Sequence, residues 1–150
     1  MKKVVIVVLL VVLLGGAAAA QTSVGVIAGE PTGLSVRQVL GGIASVDLAV
    51  AWSLVPRGAD AQGSLYLHLD YQQYFEQINV EAVQLLFFVG VGPKLYIGDV
   101  LSIGARVPVG LFYNFPDLPL ETFLEIAPGL NLIPTTELDV MGAIGLRYQL

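Results

Sequence analysis

Cysteine is absent from the 150-residue chain, which removes disulfides and thiolate metal sites from consideration. Histidine occurs once, at His68, too few imidazoles for a metal cage, and no cofactor motif stands beside it. Lysine is nearly missing as well: after residue 20 only Lys94 remains. With the first twenty residues set aside, five Lys/Arg face twelve Asp/Glu, a net of −7. Nucleic acid, which is held through clustered Lys and Arg, is therefore excluded as a partner. Charge of either sign is scarce, at 17 of those 130 residues, about half the usual ~25% of soluble domains. A water-facing exterior is hard to assemble from that inventory, and an apolar one is easy.

The first twenty residues form a segment of their own. Met1-Lys2-Lys3 is a short positive start, Val4 to Leu14 is an unbroken aliphatic run, and Gly15 to Ala20 is small throughout. That pattern is a secretory signal peptide cut after Ala20. The eleven strongly apolar residues fall short of the ~20 that a spanning helix needs. The expected organisation is a signal peptide over 1–20 and one domain over 21–150.

Along that domain the hydrophobic period is two. In the last segment Leu138, Val140, Gly142, Ile144, Leu146, Tyr148 and Leu150 alternate with Asp139, Met141, Ala143, Gly145, Arg147 and Gln149. This alternation predicts a β-strand with unlike environments on its two faces. The same reading gives strands at 22–29, 34–40, 45–54, 64–71, 83–97, 101–114 and from Leu120 to about Leu132. The face of the first is left open by its small residues. Glu30-Pro31-Thr32-Gly33, Gly41-Gly42, Gly98-Asp99 and Pro116-Asp117-Leu118-Pro119 supply turn chemistry. Residues 55–63 and 74–82 read as longer connections, the second with room for a helical turn. The expected fold is all-β: an eight-stranded antiparallel up-and-down transmembrane β-barrel, whose closure removes the sheet edges that hydrocarbon cannot satisfy.

Alternation alone leaves two barrels open, one with its apolar face inward around a ligand and one with it outward in lipid. The charges decide. Glu30, Arg57, Asp60, Glu76, Glu81, Asp99, Asp117 and Glu137 fall in expected connections. The other nine (Arg37, Asp47, Asp70, Lys94, Arg106, Glu121, Glu125, Asp139 and Arg147) all fall on the small or polar face, among Gly, Ala and Ser. A narrow eight-stranded interior needs small residues beside a few large ones. A charge on the lipid side near the midplane would cost roughly 2–4 kcal/mol. Trp52, Tyr71, Tyr113 and Tyr148 stand near strand ends on the aliphatic face, where interfacial aromatics lie. The lipid-facing reading is preferred, with a soluble lipocalin-like carrier of an apolar ligand as the alternative.

The ending Gly145-Leu-Arg-Tyr148-Gln-Leu150 is similar to the C-terminal signal that the barrel-assembly machinery reads in outer-membrane barrels. Gly29-Glu-Pro-Thr-Gly-Leu-Ser35, Arg106-Val-Pro-Val-Gly-Leu111 and Phe123-Leu-Glu-Ile-Ala-Pro128 resemble an uncharacterised family of small outer-membrane proteins with an OmpA-like eight-stranded barrel. The resemblance implies the fold and the bacterial outer membrane as location; the expected partners are outer-membrane lipid and, during biogenesis, the assembly machinery, and the expected state is a monomer. The resemblance implies no chemistry. With both termini periplasmic, the long 74–82 connection would be periplasmic and the short 98–100 and 134–137 connections external, the reverse of the usual pattern.

Two sharper functions compete with a structural role. The inward charges could line a narrow pore, but eight strands ordinarily leave an interior filled by side chains, so a self-paired network is expected. His68 shares its face with Ser64, Tyr66 and Asp70, the residue types of a lipid-modifying hydrolase. Alternate residues on one strand stand roughly 6–7 Å apart, so a triad would need partners from other strands. The expectation is a non-enzymatic barrel with a structural or surface-interaction role.

Overall fold

The structure, a computed structural model, describes residues 21–52 and 65–150, the side chains of residues 76 and 77 apart. The signal segment 1–20, the 55–63 connection and Ser64 lie outside the described residues. Among the described residues nine strands follow one another: β1 (Thr22–Gly29), β2 (Thr32–Gly41), β3 (Ala44–Trp52), β4 (Leu65–Val80), β5 (Val83–Ile97), β6 (Ser102–Arg106), β7 (Val109–Asn114), β8 (Leu120–Ile133) and β9 (Glu137–Gln149). All pairings are antiparallel. β6 and β7 lie end to end between β5 and β8, so they form one interrupted stave. β9 pairs with β1 from Ser23↔Gln149 to Gly29↔Ala143, which closes eight staves into a ring.

Side chains alternate in and out of that ring as the pleat requires. On β3, Ser45, Asp47, Ala49 and Ala51 are buried while Trp52 is exposed. On β9, Met141, Ala143 and Arg147 are buried while Leu138, Val140, Ile144, Leu146 and Tyr148 are exposed. The unassigned face of β1 is fixed by its neighbours. Ser23 pairs with Arg37 and Gly25 with Ser35, so Ser23 and Ile27 are buried and Val26 faces out.

Three expectations need correction. Residues 74–82 are not a connection: β4 runs to Val80, and the turn is only Glu81-Ala82, with Glu81 at φ 56°. The register slips between Tyr74 and Gln77, and this bulge hides the alternation from a fixed period of two. Glu76 therefore lies within β4, and Glu137 opens β9. The supposed long periplasmic loop disappears. The sixth stave breaks at Val107-Pro108, because proline has no N–H for the ladder. There the Pro108 carbonyl accepts from Gly90 N at 2.8 Å and Val107 N donates to Pro128 O at 2.9 Å, which keeps the phase across the gap.

Candidate functional site

The interior carries the chemistry. All nine inward charges named from the sequence lie there, each on a buried face of its strand, Asp139 being the most open of them. They fall into three groups along the barrel.

The first group lies toward the chain termini. Pairing sets Arg37 beside Asp47 and Glu121 beside Arg147, yet the ion pairs cross the interior as well. Arg37 Nη1 meets Glu121 Oε2 at 2.6 Å, although β2 and β8 are not neighbours. Arg147 donates Nη2 to Asp47, Nη1 to Glu121 Oε1 at 3.3 Å and Nε to Ser35 Oγ at 2.9 Å. Ser35 Oγ donates to Asp47 Oδ1 at 3.1 Å, and Ser23 Oγ donates to Glu121 Oε2 at 3.0 Å. The guanidinium carbons sit on aromatic faces, Arg37 at 4.3 Å from the Phe112 centroid and Arg147 at 4.0 Å from that of Phe123. Gly145 makes the second stacking possible, since a Cβ there would lie 2.0 Å from the Phe123 ring.

Arg106 centres the second group. Its Nη2 pairs with Glu125, its Nε stands 3.1 Å from Asp70 Oδ2, and its Nη1 donates to Tyr66 Oη at 3.2 Å. The same Nη1 is 3.1 Å from His68 Nδ1. A guanidinium only donates, so Nδ1 accepts and the imidazole N–H falls on Nε2, facing Asp70 at 3.6 Å and Asp47 at 3.9 Å. His68 thus links the two groups. In the third, Lys94 Nζ meets Asp139 Oδ1 at 2.5 Å, with Tyr96 Oη donating to Met141 Sδ at 3.2 Å nearby.

Every one of the four cations therefore touches at least one of the five carboxylates. Buried charges left single would cost several kcal/mol each. An apolar ligand of the lipocalin kind would have to displace this network. His68 is buried against Tyr66, Arg106 and two carboxylates, and Ser64, the serine expected on its face, lies outside the described residues. Among the described residues no group of three His, Cys, Asp or Glu could hold a metal.

Of the C-terminal motif, Gly145 faces inward beneath Phe123, Tyr148 faces out between Val24 and Leu120, and Leu150 N donates to Thr22 O at 2.8 Å. Sequence reasoning missed the aromatic half of the interior: Tyr74, Phe88 and Phe112 pack among the cations. Their signal was parity, because Phe88 and Phe112 share it with Lys94 and Arg106 along their staves.

No protein-family model matches the chain, and no curated protein does. Among solved structures, the N-terminal β-barrel domain of Pseudomonas aeruginosa OprF is similar, with a TM-score of 0.58 over 87% of this chain and 96% of that one, at 14% identity. The likeness is one of fold: a closed antiparallel β-barrel.

Proposed function

We propose that the chain is an integral outer-membrane β-barrel protein with a structural or surface-interaction role and no enzymatic activity. Residues 21–150 form the barrel after removal of the export signal over 1–20, and the relationship to small OmpA-like outer-membrane proteins belongs to the same reading. The observation that carries it is sidedness. Arg106 is 0% exposed while Leu124, Ile126 and Ile144, on the outer faces of adjoining staves, are 56–57% exposed. Contiguous apolar surface of that kind is rare on soluble monomers and is what a lipid-facing barrel presents. The partners are outer-membrane lipid on the outside and the assembly machinery reading Gly145, Tyr148 and Leu150 during biogenesis. The interior ion pairs then serve as a polar core rather than a conduit or an active site.

Cell fractionation and gel mobility test this. The protein is expected in the outer-membrane fraction, migrating faster on SDS gels before boiling than after. Recovery as a detergent-free, monodisperse periplasmic protein would reject it.

A further inference from the structure

Past Tyr74 the β4–β5 hairpin leaves the ring. β4 pairs with β3 only as far as Gln73, and β5 with β7 only from Leu86 onward. Residues 75–80 and 83–85 thus form a two-stranded ribbon at the end of the barrel where β1 begins and β9 ends. The bulge between Tyr74 and Gln77 shifts the parity of β4 by one, so that Ile78 and Val80 face the same side as Leu69 and Tyr71 before it. The ribbon's outer face stays apolar as a result. The Phe75 and Phe87 rings lie 6.2 Å apart, and Ile78↔Leu85 and Val80↔Val83 are cross-strand pairs. Asn79 and Gln84 pair on the opposite face.

The apolar stripe is longer than a membrane needs. Every outward position of β5 from Val83 to Ile97 is apolar, and the strand has 15 residues. At ~3.3 Å per residue it reaches about 46 Å, whereas about 9–11 tilted residues cross a bilayer. The excess falls at the ribbon. Free strand edges in water are normally blunted by Lys, Pro or inward charge, but Phe75, Ile78, Val80 and Val83 are exposed here.

We infer that the outer face of the β4–β5 ribbon is a lipid-docking surface, resting in the boundary between headgroups and acyl chains of the leaflet on the side of the chain termini. The inference rests on the membrane reading proposed above. Lipid is the occupant because the ribbon's outer face continues the outward stripe of β5 without a polar break, and Gln73 is the one polar outward residue on the described part of β4. No Lys or Arg occurs from residue 75 to 85, so attachment comes from apolar burial and not from attraction to anionic headgroups. The polar face with Asn79 and Gln84 is left for water.

Single tryptophans in a Trp52→Phe background test it, with the barrel folded into vesicles of phosphatidylcholine carrying brominated acyl chains. Val80→Trp and Val83→Trp are expected to emit at short wavelength, to be quenched to at least about half the extent of Leu67→Trp at mid-barrel, and to be shielded from acrylamide. Asn79→Trp should emit as in water. Water-like emission from both Val80→Trp and Val83→Trp, with Leu67→Trp quenched, would overturn the docking surface and leave the membrane barrel standing. Shielding of the two tip reporters from acrylamide and bromine alike would overturn it in favour of a protein partner or second copy. An unquenched Leu67→Trp would bring down the membrane reading and this one with it.

Discussion

Replacing Arg147 by methionine removes a buried cation that bridges two carboxylates while keeping much of its volume. The guanidinium is 3% exposed and serves Asp47, Glu121 and Ser35 while lying on the Phe123 ring. The two carboxylates do not suffer equally. Glu121 keeps Arg37 at 2.6 Å and Ser23 at 3.0 Å, whereas Asp47 is left with the Ser35 hydroxyl and a histidine nitrogen 3.9 Å away. Most of the loss is thus one uncompensated buried carboxylate, for which breaking a buried pair costs about 3–5 kcal/mol. The lost stacking on Phe123 adds on the order of 0.5–2 kcal/mol. Arg147→Met should lower unfolding free energy by about 3–5 kcal/mol, read from urea titrations in lipid vesicles by Trp52 fluorescence and by the folded-band fraction on unheated gels. Asp47→Asn should cost less, because Arg147 retains Glu121. The double variant should recover about 1–3 kcal/mol relative to the sum of the singles. A loss below about 1 kcal/mol for Arg147→Met, or strict additivity, would refute the idea that these charges are coupled across the interior.

Other expectations follow from the same geometry. Ile144→Arg places a charge at an outward position and should cost about 2–4 kcal/mol in vesicles; a soluble barrel would tolerate it with no change in melting temperature. Gly145→Ala puts a Cβ against the Phe123 ring and should destabilise by about 1–3 kcal/mol in the same titration, with Phe123→Leu relieving part of the loss. His68→Ala should leave ester hydrolysis and the acyl composition of the membrane unchanged, and a measurable drop in either would return the hydrolase to consideration.

Much of the barrel was legible because its two faces differ so sharply. Strand β3 could be read residue by residue, since Asp47 lies between Val46 and Leu48, and parity alone places it inside. The ribbon beyond Tyr74 was not legible because one inserted residue in β4 reverses the phase, and a reader holding to a period of two sees the pattern end. The gap at Val107-Pro108 was invisible for the opposite reason: alternation and register both keep their phase across it, and only the N–H that proline lacks is missing from the ladder. Parity also gathered the nine charges on one face, but it could not choose partners. Arg37 has Asp47 beside it in register and Glu121 across the interior, and it takes Glu121.

The pairs that join distant parts of the chain have a bearing on how the molecule comes together. Arg37 waits for a carboxylate 84 positions later, and Asp47 for a guanidinium 100 positions later. A sheet ending before β8 lacks the carboxylate that Arg37 pairs with and the guanidinium that Asp47 pairs with, so the late strands bring ionic partners as well as backbone pairing. The ring therefore closes like a latch: β9 brings its pairing with β1 together with Arg147 and Asp139, which complete two of the three interior groups.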